Sequence, residues 1–459
     1  MSASHFAPFK SSPSRPFDRK RAAHLLRRAG FGAAPEAVEE AVKRGLEETV
    51  GRLFEISAEE ETEYQRTFRA INGHLANFGD REVLQSWWAY RMATTRTPLR
   101  EKLTLFWHGH FATSDEKVEN TELMHAQIET LRLLAWGNFR DLVMAIARDP
   151  AMLVWLDGES NTREHPNENF ARELMELFTC GIGHYSEKDV QAAARAFTGW
   201  GRDGTRFAFR RDQHDDGPKS FLGKSGRFDG TDIIDLLMHQ PATSRFLARK
   251  LLRFFAHPEP ADDVVEEAAG LFDRTRLDVK WFLRDLFLSE YFHSETCFRA
   301  RISSPAELVV GTVRTLGARW PGAEIVGRMN AMGQELFAPP NVKGWDGETR
   351  WINSSTWSER TQFADTISTL ECGTGLLPGF DLSRIVPSDM KDTVAIVGRL
   401  VSVLMQDDLP AETTTKIAAF LIDGDGSAAE RFRDDEAFRE EKTRAALAMI
   451  LSLPESQAY

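Results

Sequence analysis

The chain has 459 residues, of which 42% are hydrophobic and 27% charged, the proportions of a globular protein rather than a disordered one. Its 57 basic and 69 acidic side chains leave a net charge of −12, without the basic field that drives generic nucleic-acid binding. Three cysteines exclude a small disulfide scaffold.

At roughly 100–200 residues per domain, the length suits several units or one large helical body. No run of about 18 apolar residues is present, so no transmembrane helix is expected. The N-terminal segment has basic residues and prolines but no apolar core of a secretory signal. Arg27-Arg28 leads into Ala29-Gly30-Phe31-Gly32, which does not suit a twin-arginine signal. Cys180, Cys297 and Cys372 are far apart and form no CxxC. A cytoplasmic protein with idle thiols is the plain expectation.

Residues 101–114 read as a helix running to about Trp107, loosened by Gly109 between His108 and His110. In a helix, positions i and i+2 point about 200° apart. In extended backbone they share a side, and HxH becomes a metal pair. The competing use of these histidines is hydrogen bonding to backbone or carboxylates beside an aromatic core. Residues 120–135 put Leu123, Met124, Ile128, Leu131 and Leu134 on one helical face.

Residues 165–181 predict a helix with Asn167 as N-cap and Gly181 as terminator. Phe170, Leu174, Leu177 and Phe178 form its core stripe. Asn169, Arg172, Glu173 and Glu176 lie opposite, either as a solvated face with an Arg172–Glu176 pair or as the lining of a cleft. Ser186 can cap the next helix, with Val190, Ala193, Ala194 and Phe197 inward. Tyr185 and Trp200 suit packing.

Strand signal is confined to 205–222, where Phe207 and Phe209 alternate and Asp215-Asp216-Gly217-Pro218 makes a turn. His214 and Asp215 share this loop with Lys219, as a site or as ordinary turn chemistry. Helices follow over 263–273 and 279–288. Ser304-Pro305-Ala306-Glu307 starts another with a capping box, and Gly317 can end it. Residues 338–357 cannot be continuous helix. Their Asn341, Lys343, Trp345 and Trp351 either line a pocket or pin the loop to the body. Residues 389–406, 411–422 and 434–452 read as helices. The fold class is therefore mainly α, with a β-hairpin or long-loop insertion near 205–222. The main body spans 1–371, and a C-terminal helical segment, 372–459, packs on it.

Motifs for dinucleotide, nucleotide or EF-hand calcium binding are absent, as are GxSxG and HExxH. Glu173-x-x-Glu176 does not fit a di-iron bundle. The ordered segments His24-Leu-Leu-Arg-Arg-Ala-Gly-Phe-Gly32, His108-Gly-His110-Phe-Ala-Thr113, Pro166-Asn-Glu-Asn-Phe-Ala-Arg-Glu-Leu-Met-Glu-Leu-Phe178, Thr198-Gly-Trp200, Pro340-Asn-Val-Lys-Gly-Trp345 and Trp351-Ile-Asn353 resemble the bacterial family known as domain of unknown function 1800. The resemblance covers nearly the whole chain. It implies a mainly helical architecture and brings no established reaction. It also implies a possible partner, since many members are exported and encoded beside a phosphatase/sulfatase-like protein. The missing export signal departs from that pattern.

Three functions compete. In the first, a divalent metal held by His108, His110, Glu168 and His214 activates water, with Glu173 or Glu176 as base. Arg172 and Lys343 then hold an anionic substrate, and Asn341, Trp345 and Trp351 complete its pocket. In the second, the chain is a non-enzymatic assembly or chaperone-like partner of that phosphatase/sulfatase-like protein. In the third, a metal-free cleft lined by Trp345 and Trp351 binds or cleaves glycans, with Glu173 and Arg172 as its acid–base pair.

Overall fold

The computed structural model describes residues 4–56, 58, 59, 61, 62, 66, 80–370, 378–405, 409–423 and 427–458. The expected boundary near 371–372, and Cys372, lie outside the described residues. The architecture is mainly helical, with two separate two-stranded antiparallel sheets. No helix among the described residues is long and apolar enough to cross a membrane.

The Pro98–His110 helix lies at the centre. Leu99, Leu103, Phe106 and Trp107 are buried, and so are Glu101, Lys102 and Thr104 on its other sides. A helix buried all round must pair its charges. Glu101 receives Arg91 at 2.7 Å, Arg132 at 2.8 Å and the Trp88 indole N–H at 3.1 Å. Lys102 Nζ reaches Glu307 at 2.5 Å, and Arg301 meets the same carboxylate at 3.1 Å. Burial alone would raise the Glu307 pKa. The opposing charges of Arg301 and Lys102 override it and hold the carboxyl well below its ordinary range.

Glu307 also closes its own helix start. Its backbone N–H donates to Ser304 Oγ at 3.2 Å, and its carboxylate accepts from the Ser304 N–H at 2.8 Å. The helix runs Pro305–Leu316 and ends on Gly317 at φ 61°. The other periodic segments form Thr121–Leu133, Asp262–Thr275 and Val279–Leu288, each burying its apolar stripe. In the C-terminal part, helices span Thr393–Met405, Ala411–Phe420, Ala428–Asp434 and Glu436–Leu451. Arg444 ties the last of these to the Ser368 and Leu370 carbonyls at 3.2 and 2.8 Å.

The β insertion is wider than 205–222 and contains two hairpins. Trp200–Asp203 pairs with Arg206–Phe209, and Lys219–Phe221 pairs with Lys224–Gly226. The Asp215–Pro218 turn therefore connects two hairpins and does not close one. The expected helix of 165–181 also changes character midway. It is α over Asn169–Glu173 and widens to a π-helix over Leu174–Thr179. Gly181, at φ 80°, ends it by donating to Met175 O at 2.8 Å.

Candidate functional site

Gly109 does not break the central helix, which continues through His110. The extended HxH geometry is thus corrected, and the two rings leave the helix in different directions. The His108 Nε2 accepts the Phe337 backbone N–H at 3.0 Å, and its ring lies against Trp88, Phe337 and Trp345. Burial drives its pKa down to about 3, so the ring is neutral. His110 faces Phe178, Phe139 and Phe246. Its Nε2 is 3.0 Å from Phe178 O, and its Nδ1 is 3.0 Å from Lys250 Nζ.

The steric demand at this point falls on Gly344. The 338–353 loop descends onto Gly109, and Gly344, at φ 80°, packs against the Gly109 carbonyl so closely that any Cβ there would collide. Trp345 then lies along Gly109. Helix and loop enclose a cleft of about 350 Å³. Its aromatic lining includes Phe106, Phe254, Trp345 and Trp351, and its basic side chains are Lys250, Arg253, Arg301 and Lys343. Arg301 is neutralised by Glu307 and Glu348. Asp346 and Glu348 are the acidic groups of the lining. Lys250, Arg253 and Lys343 remain without a carboxylate ion pair among the described residues.

Lys250 and Arg253 come from the Pro241–Phe255 helix, which the sequence reading passed over. One signal marks it: Lys250 falls four residues from both Phe246 and Phe254, inside an aromatic stripe. Lys250 Nζ also donates to Leu177 O at 3.2 Å. Helix ends leave their last carbonyls without an intrahelical partner, and Lys250 and His110 take up those of Leu177 and Phe178. Burial first, then the Arg253 charge, pulls the Lys250 pKa down to about 7.

The polar face of 168–176 is half-buried. Arg172 pairs with Glu168 at 2.9 Å and Glu187 at 2.8 Å, in place of the expected Glu176. Glu176 accepts the Tyr185 hydroxyl at 3.0 Å. Burial, then the neighbouring Glu176 charge, raises the Glu173 pKa, against the pull of Arg172 and Lys343. Asn167 caps the helix start by accepting the Asn169 N–H at 2.9 Å.

His214 is buried, with Nδ1 2.8 Å from Thr198 O and its ring against Phe209 of the first hairpin. Its neighbour Asp215 is held by Arg195 at 2.6 Å. His108, His110, Glu168 and His214 therefore do not converge. Among the described residues, no group of three or more His, Cys, Asp or Glu side chains is placed to hold a metal ion. Of the residues expected to contact substrate, Lys343, Trp345 and Trp351 line the cleft, while Asn341 is exposed and turns the loop by accepting the Lys343 N–H at 2.9 Å.

A family model described as "Protein of unknown function (DUF1800)" matches residues 24–458. No curated protein and no solved structure matches the chain. The chain belongs to the DUF1800 family.

Proposed function

We propose that this family member binds a small anionic molecule carrying a flat apolar group, such as an aromatic carboxylate, phosphate or sulfate. The observation that supports this is the grouping of Arg253 and Lys343 with the rings of Phe254, Trp345 and Trp351 around one cleft. A volume of about 350 Å³ falls in the small-molecule range of roughly 300–1,000 Å³. Cations at its wall supply charge-assisted hydrogen bonds to the anion, and the aromatic faces take the flat part. Trp351 is buried and Trp345 half-buried, so they offer ring edges and short walls, not a broad platform for a sugar chain.

In this reading Glu173, outside the cleft lining, is the proton-transfer group that feels the Lys343 charge. Its raised pKa and its interaction with Lys343 suit an acid–base role. Beside it, Glu176 is held by Tyr185, and Arg172 by Glu168 and Glu187.

The test is titration with aromatic acids and their neutral amides, read by tryptophan fluorescence and calorimetry. Saturable binding of the acids, with the amides much weaker, is expected. Equal binding of acids and amides, or binding of neither, overturns the reading.

A further inference from the structure

We propose that Lys250 is a carbonyl-capturing amine, which forms an imine with a 2-oxo acid or an aldehyde-bearing acid held in the cleft. The inference rests on the anion-binding reading and adds the reactive group of the ligand.

The geometry begins at His110. Its Nε2 lies 3.0 Å from Phe178 O, which can only accept, so Nε2 carries the ring hydrogen. Nδ1 is then the bare nitrogen, and it accepts from Lys250 Nζ at 3.0 Å. Leu177 O accepts from the same Nζ at 3.2 Å. A neutral amine has two hydrogens, and these two acceptors use both. The nitrogen lone pair is left over, on a residue that lines the cleft.

The surroundings favour that neutral form. No carboxylate among the described residues pairs with Lys250, whereas a lysine used only for structure is ordinarily matched with one. The nearby Arg253 charge opposes an ammonium. Desolvation beside a second cation is a known way to activate an amine toward carbonyl carbons. Arg253 and Lys343 are both available to hold the acid group of the ligand.

In the reaction the Nζ lone pair attacks the carbonyl carbon and a C–N bond forms. The C=O π electrons move to oxygen, which takes a proton and becomes a hydroxyl. That hydroxyl then leaves as water while the C=N bond forms. The amine's two hydrogens leave with the carbonyl oxygen, and nothing is oxidised or reduced.

The test uses the full chain at neutral pH with glyoxylate or phenylpyruvate as the probe, followed by cyanoborohydride and peptide mapping. Phenyllactate, which has the same acid and ring but no carbonyl, is titrated in parallel. A reduced adduct on Lys250 ahead of every other lysine, lost in Lys250→Arg, is the expected result. Arginine retains donors toward His110 and Leu177, and mapping of the unmodified chain decides the matter if that variant does not fold. Binding of phenyllactate with no adduct on Lys250, or adducts spread evenly over lysines, overturns the imine and leaves the anion site standing. Binding of neither probe overturns both.

Discussion

Glu307 shows at the scale of one residue why the centre of this molecule is polar yet ordered. It joins a helix cap, Lys102 and Arg301 in one buried carboxylate. Removing its charge takes a carboxylate from two buried cations, Lys102 and Arg301, of which Arg301 keeps Glu348 at 3.2 Å. Glu307→Gln is expected to destabilise the chain by roughly 3–5 kcal/mol, as for other broken buried pairs, measurable by urea denaturation. His108 gives a pH-dependent counterpart. Its pKa, ordinarily 6.5, is lowered by burial to about 3 in the folded chain. The unfolded state therefore binds a proton between these values that the native state does not, and stability from this group is lost as pH falls below 6.5. Glutamine keeps an acceptor for the Phe337 N–H and does not titrate. His108→Gln is expected to be less stable than the unmodified chain at pH 7, with the gap narrowing toward pH 5. A gap that stays constant or widens contradicts the neutral buried ring.

At the scale of elements, the cleft depends on a loop seated against a helix through Gly344, which packs on the Gly109 backbone. Gly344 combines a positive φ with backbone contact to Gly109. Gly183 has a similar φ of 89° but open space around it. Gly344→Ala is expected to cost more than Gly183→Ala, whose strain alone is on the order of 1 kcal/mol, and to weaken ligand binding as well. Equal costs in thermal denaturation would mean the loop does not seat on Gly109.

These elements also show what was legible in the sequence. The Ser304–Glu307 cap, the Gly317 stop and the apolar stripes are local chemistry, and all are present. The His108–Gly109–His110 geometry was not legible. Gly109 is the penultimate residue of the helix, and burial of Phe106, Trp107 and Phe111 outweighs the cost of a helical glycine, at most about 1 kcal/mol. Lys343, Trp345 and Trp351 stood out because their loop is irregular and rich in chemistry-bearing residues. Lys250 and Arg253 look like an ordinary basic helix face until the fold turns that face toward the loop. The π-helix at Leu174–Thr179 was not legible either, since a π turn has no sequence period that sets it apart from α.

For the whole molecule, the net charge of −12 contrasts with the cations gathered in one cleft. An acidic surface repels anions at a distance, so affinity must come from contacts inside the cleft rather than long-range steering. The decisive measurement is therefore calorimetric titration of an aromatic phosphate into the unmodified chain and into Lys343→Gln/Arg253→Gln, with circular dichroism to check folding. The account predicts one saturable site and a loss of roughly tenfold or more in affinity for the folded double variant, about 1.4 kcal/mol or above. Unchanged affinity in that variant, or no binding by the unmodified chain to any aromatic phosphate, carboxylate or sulfate, would contradict the account.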